Sequence, residues 1–159
     1  MQNIEKASAV GHIPSGLFIV CTIDSKGNKE GFLGSWVQQV SFDPLLITLA
    51  IRKGRPGYDH IMSGNVFSIN IVGEEKSTFL KSFWKGYPPG QSPFGSIPHK
   101  VSKKGTIWIE EAKSVMDCIL ISKSQPGDHE LVIAEVVASA DLNADMKPKT
   151  YTRKNGLDY

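Results

Sequence analysis

Residues 17–51 hold three strand-like runs in succession: LFIVCTID, FLGSWVQQVSF and LLITLAI. No helical period separates them. The first two are joined by SKGNKEG, whose serine, lysine, glycine and asparagine form a hairpin signal. Asp43-Pro44 stops the second run, because proline offers no donor to a ladder. Connections this short permit only antiparallel neighbours. The third run is continuously apolar, the pattern of a strand buried on both faces. A chain that begins this way is committed to antiparallel β structure before its second third is read.

The remainder keeps to that plan. YDHIMSG has the length of a short helix, and VFSINIV alternates, placing Phe67, Ile69 and Ile71 on one face. EEKSTFLKSFWKG is the best helical segment, with acidic residues at its start and Phe79, Leu80 and Phe83 at helical spacing. Residues 87–105, rich in proline and glycine, read as a long loop. TIWI, SVMDCILISKS and HELVIAEVVASAD are three further strands, the last two joined by the turn QPGD. The tail from Met146 is polar and carries two tyrosines. The expectation is a mainly β chain with inserted helices, closed into a barrel so that no strand edge is left open. The length of 159 residues fits one domain, 1–159.

Composition narrows the function classes. A net charge of +2 is too small to argue for nucleic acid or a membrane surface. No apolar run approaches ~18 residues and no secretory pattern opens the chain, so the expected location is cytoplasmic. Cys21 and Cys118 stand apart in apolar runs and read as reduced, buried hydrophobes. The histidines His12, His60, His99 and His129 show no ligand spacing, so no metal site is expected. Nucleophile elbows and phosphate-binding glycine signatures are missing too.

Two features point to a ligand. IRKGRPGYDH places Arg52, Lys53 and Arg55 around Gly54, after a buried strand and before a short helix, which suits a phosphate. The alternative is a solvated basic turn. GSWVQQV carries Ser35, Trp36, Gln38 and Gln39 in one strand-like run. Buried polar groups need partners, supplied by the protein or by a ligand. The alternative is the outer face of a half-exposed strand, since adjacent residues point to opposite sides. A ligand with a phosphate at one end and a flat, hydrogen-bonding ring at the other would use both segments.

The order of IPSGLFIVCTIDSKGNKEGFLGSWVQQVSFDPLLITLAI, RKGRPGYDHI, FSINIV and SKSQPGDHELVIAEVV resembles the flavin reductase-like family with the FMN-binding split-barrel fold. Within it, the chain is most similar to the flavin reductase module at the C-terminus of diflavin flavoproteins. The resemblance runs over roughly residues 10 to 159, with SWVQQVSFDP and GDHELVIAEV its most specific parts. It departs from many members at Trp36 and Gln39, where small hydroxyl or amide residues are usual, and at Pro44-Leu45, where two prolines are.

The resemblance implies a six-stranded antiparallel barrel, a homodimer, and FMN reduced by NADH or NADPH, with electrons passed to flavin, oxygen, iron or a partner centre. It places Gly34, Ser35, Trp36, Val37, Gln38 and Gln39 along the isoalloxazine ring. It places Ile51, Arg52, Lys53, Gly54 and Arg55 at the phosphate, with Lys53 and Arg55 as its ionic partners. It makes His129 the candidate catalytic residue, at the nicotinamide or as a proton relay; from the residues alone, His129 reads rather as a turn histidine capping the strand ELVIAEVV. The other readings are a flavin-binding electron carrier without nicotinamide turnover, and a barrel module for some other phosphate-bearing ligand.

Overall fold

The computed structural model describes residues 2–75 and 78–158. In chain order its elements are α1 (Gln2–Gly11), β1 (Ser15–Gly16), β2 (Phe18–Ile23), β3 (Lys29–Gly34), β4 (Val37–Ser41), β5 (Leu46–Arg52), α2 (Tyr58–Met62), β6 (Phe67–Ile71), α3 (Leu80–Trp84), a 3-10 turn (Pro93–Gly95), β7 (His99–Val101), β8 (Ile107–Ile109), β9 (Ser114–Ser124), β10 (His129–Asp141) and β11 (Thr150–Tyr151). The chain is mainly β, as expected. Nothing in the sequence reading covers α1.

The main sheet has seven strands in the order β3-β2-β6-β9-β10-β5-β4. The expectation of six is therefore corrected, and its source is one segment. FLGSWVQQVSF, read as a single strand, is broken at Ser35-Trp36: β3 pairs with β2, while β4 pairs with β5 at the opposite end of the sheet. No pairing joins β3 to β4, so the sheet is not a hydrogen-bonded ring.

Connectivity nonetheless dictates how the sheet lies. Seven strands at about 4.8 Å spacing would span roughly 29 Å if flat. The two edge strands are separated along the chain only by residues 35 and 36, and three Cα steps reach at most about 11 Å. The sheet must coil to bring its ends that close. One buried cluster accordingly draws on strands at both ends and in the middle: Phe32, Val20, Phe67, Cys118, Val132, Ile47 and Leu49, with α2 adding Ile61.

A second cluster covers the other face. Leu17, Ile19 and Val115 meet Phe79 and Phe83 of the α3 segment, Phe94 and Ile97 of the following loop, and Ile107 and Ile109 of β8. The expected helix 74–86 shrinks to five residues, and its portion at 76–77 lies outside the described residues. No side chain caps its start, so packing of Phe83 rather than propensity holds it. The 87–105 segment is not structureless: it carries the 3-10 turn and β7, which pairs with β8 in a separate hairpin.

That hairpin is fastened by buried polar groups of β6 and β9. Asn70 Nδ2 donates to the carbonyls of Ile19 and Ile107, and its Oδ1 accepts from the Ile109 amide at 2.7 Å. Trp108 Nε1 and the Thr106 hydroxyl both donate to Asp117 Oδ1. The third run, LLITLAI, is corrected in one respect. Only Ile47, Leu49 and Ile51 are buried, while Leu46, Thr48 and Ala50 on the alternate face are half-exposed.

Cys21 and Cys118 are free and buried. Burial pushes the Cys21 thiol far up and the Cys118 thiol up to about 12. The thiolate is the reactive form. Both should therefore be silent toward a thiol reagent at pH 8 in the native protein, and two equivalents should react in denaturant. Prompt native labelling would contradict the packing described.

Candidate flavin and nucleotide site

The break at Ser35-Trp36 is where the site begins. Gly34 and Ser35 are buried, and the Ser35 Oγ has no hydrogen-bond partner among the described residues. Ser35 lines a cavity of about 100 Å³ with Leu17, Leu33, Gly34, Arg55, Phe83, Trp84 and Tyr151. Protein interiors do not leave polar atoms orphaned without reason, so a partner from outside the chain is the direct reading. The cavity is below the ~300 Å³ of ordinary ligand pockets, so a ligand reaching Ser35 must extend across its mouth.

Arg55 connects this cavity to a second. A groove of about 1060 Å³ runs from Lys53, Gly54 and Arg55 past Tyr58 to Tyr87 and Gln91 on the facing loop. It is ten times larger, but of the residues expected at the ligand it holds only Lys53, Gly54 and Arg55. The smaller cavity carries the unpartnered hydroxyl and is the more informative. The basic loop is shaped by two glycines in the left-handed region, Gly54 at φ +87° and Gly57 at φ +77°, a conformation with no steric cost only for glycine. The Gly57 amide donates to Glu30 Oε2 at 3.0 Å, tying the loop to β3.

Trp36 and His129 lie on the other side of the break. Register pairs His129 with Arg52 across β10 and β5, and the Ala50 amide donates to the Trp36 carbonyl. The Trp36 and His129 rings are 4.9 Å apart between centroids, tilted by 50°. His129 Nδ1 donates to Asp128 Oδ1 at 2.8 Å. That bond holds the Asp128 carboxyl below the usual carboxylate range, with Arg52 adding a smaller pull.

The structure thus brings Gly34, Ser35 and Arg55 together, and separately Trp36, Arg52 and His129. Lys53 and Gly54 continue from Arg55 along the groove. Val37 packs against the core, and the Ile51 side chain is in it. Gln38 and Gln39 are exposed on edge strand β4 and line neither cavity, and Gln39 Nε2 donates to the Ser41 carbonyl. The start of the 87–105 segment is pinned to β3: Tyr87 Oη bridges the Gly31 amide and carbonyl at 2.9 Å each. Three residues at the site were not singled out from the sequence as ligand contacts, namely Tyr151, Arg153 and Trp84. Among the described residues no group of three or more histidine, cysteine or acidic side chains is placed to hold a metal, and no helix is long and apolar enough to cross a membrane.

Comparison with known proteins identifies the family and the fold. The family described as flavin reductase like domain matches residues 10–156. A diflavin flavoprotein of Synechocystis sp. is 31% identical over 159 residues, covering 99% of this chain and 27% of its own. The chain therefore spans about a quarter of the length of the curated relatives it matches. The fold is shared with an NADH:FAD oxidoreductase of Streptomyces globisporus, at TM-score 0.82 and 18% identity over 91% of this chain and 85% of that one. It is shared also with the styrene monooxygenase flavin reductase of Pseudomonas putida, at TM-score 0.79 and 22% identity over 91% and 90%.

Proposed function

The chain belongs to the flavin reductase-like domain family, and from that premise we propose that it is an FMN-dependent NAD(P)H:flavin oxidoreductase. The observation that carries the reading is the buried, unpartnered Ser35 hydroxyl beside Arg55. An unpartnered polar atom on a residue that shares a cavity with Arg55, with a basic loop beyond it, matches a ligand that has both ring heteroatoms and a phosphate.

FMN when bound supplies the hydride-accepting chemistry, and the protein's part is binding, orientation and electrostatics. Arg55 and Lys53 hold the phosphate, Arg55 by its planar fork and Lys53 as a point charge. Ser35 meets a ring or ribityl oxygen. Backbone amides around Arg52 and Lys53 are the donors for charge that develops on the ring. Trp36 and His129 form the surface for the nicotinamide, with Asp128 fixing the imidazole's orientation through Nδ1. No residue marks a preference between NADH and NADPH.

We further propose one domain over 1–159 and a split barrel, six-stranded when 29–41 is counted as one bent strand. A homodimer and a cytoplasmic location complete the reading. The homodimer is supported by Val40, Phe42 and Leu45, which are 49%, 90% and 44% exposed around the β4–β5 turn. A second copy there would cover Gln38 and Gln39. The test of the flavin site is a titration of FMN followed by its fluorescence. Saturable quenching that weakens in Ser35→Ala is expected; an FMN signal unchanged by the wild-type protein would overturn the reading.

A further inference from the structure

The C-terminal segment reaches the site from the far end of the chain. β11 pairs with β1, placing Tyr151 opposite Ser15. Beyond it the Arg153 amide donates to the Gly11 carbonyl, and the Gly156 amide to the Ala7 carbonyl. These are backbone bonds, so they set the path of the segment independently of its side chains. The approach to α1 is close: a Cβ on Gly11 would lie 2.5 Å from the Asn155 backbone.

Along this path the side chains alternate. Tyr151, Arg153 and Asn155 are half-buried, while Thr152 and Lys154 are exposed, the period of an extended strand. The two inward residues nearest the site fall on either side of the Ser35-Trp36 break. Tyr151 lines the cavity of the unpartnered Ser35 hydroxyl and meets Trp84 edge-on, with centroids 6.0 Å apart at 89°. Trp84 is 52% exposed although its neighbour Phe83 is 4% exposed. A half-exposed indole at the mouth of a cavity too small for its ligand is a wall that the ligand would complete. Arg153 lies 5.0 Å from the centroid of the Trp36 ring, and Trp36 in turn packs at a tilt against His129.

We propose that the C-terminal strand completes the ligand site: Tyr151, with Trp84, is the wall against which the planar ring packs, and Arg153 is a positioning residue that holds Trp36 against His129. The proposal rests on the flavin reading and assigns it three residues. Removing an aromatic contact of this kind weakens ligand binding by about two- to tenfold, and a cation over an indole has an effect of similar size.

The test uses FMN as probe with the wild-type protein and the variants Tyr151→Leu, Tyr151→Phe, Arg153→Gln and Arg153→Lys, each checked for an unchanged melting temperature. Tyr151→Leu should raise the FMN dissociation constant about five- to tenfold and alter the visible circular dichroism of bound FMN. Tyr151→Phe, which keeps the ring, should bind as wild type. Arg153→Gln should raise the nicotinamide KM about three- to tenfold at little changed kcat, and Arg153→Lys should recover part of that. A purely structural role would lower the melting temperature and leave the dichroism and the KM alone. Wild-type binding with Tyr151→Leu and Arg153→Gln indistinguishable from it would overturn this proposal alone. Wild-type protein that binds no FMN would overturn the flavin reading and this proposal with it.

Discussion

Arg55→Ala should raise the FMN dissociation constant by about ten- to a hundredfold while leaving riboflavin binding within about twofold. A hydrogen bond to a charged group contributes about 1.5–3 kcal/mol, and the guanidinium fork suits a phosphate better than a point charge does. Arg55 is the residue common to both cavities and is only half-exposed, whereas Lys53 is exposed. An exposed ammonium is strongly hydrated and loses that hydration on pairing, so Lys53→Ala should cost less, about two- to fivefold. Riboflavin makes the comparison decisive, since it carries the same ring without the phosphate. Equal losses for FMN and riboflavin would place Arg55 at the ring instead. No loss for either would remove the basic loop from the site.

The second large effect is on stability. Gly57→Ala should destabilise the fold by roughly 3 kcal/mol, well beyond the roughly 1–2 kcal/mol that a left-handed residue costs by itself. Both Gly54 and Gly57 have positive φ, but their surroundings differ. A Cβ at Gly54 would meet nothing within 4 Å. One at Gly57 would sit 2.7 Å from Thr22 Oγ1 and 2.8 Å from its Cγ2. Thr22 is buried on β2, so it cannot simply swing aside in a close-packed interior. Gly54→Ala therefore isolates the backbone cost, and Gly57→Ala adds the clash. The double variant Thr22→Ala/Gly57→Ala removes the two closest atoms and should recover the steric part, a coupling of about 1–2 kcal/mol. Chemical denaturation of the wild type, Thr22→Ala, Gly57→Ala and the double variant measures it. Additive single effects would show that Thr22 is not the obstacle.

The long hairpin of β9 and β10 was legible because the turn QPGD separates two strand-like runs, although the two register shifts in its pairing left no mark in the sequence. The core of β6 was legible from its alternation: Phe67 and Ile69 share one buried face. Its other face was not. Ser68 and Asn70 alternate as solvent-facing residues do, yet both are 0% exposed, because a hairpin from 30 residues further on is hydrogen-bonded over them. The break at Ser35-Trp36 is invisible locally, since serine and tryptophan both sit comfortably in strands. It arises from topology: the chain leaves one edge of the sheet and joins the other, and no short window contains that fact. The 87–105 run hides its order behind proline and glycine, while the anchors are single residues, Tyr87, Phe94 and Ile97.

The site divides in the same way. Arg52 to Arg55 and GSWVQQV could be singled out because each concentrates polar groups beside an apolar strand. Their meeting at Arg55 and Ser35 required the fold. Gln38 and Gln39 follow Ser35 in sequence but stand on the exposed edge strand, which the period of two already warned of. Tyr151 and Arg153 lie more than 110 residues from Ser35 and Trp36, in a tail whose composition reads as polar and plain. Contacts of that range leave no periodic trace.

Binding of FMN by this chain and its reduction by a nicotinamide nucleotide can be read in one experiment. The direct measurement is the visible spectrum of the protein with FMN bound, recorded anaerobically before and after NADH, and in a separate cuvette NADPH. Flavin bands should bleach within the mixing time or shortly after with at least one of the two nucleotides, and the nucleotide that bleaches them names the donor. Flavin bands that persist with both would contradict the reductase and leave a carrier.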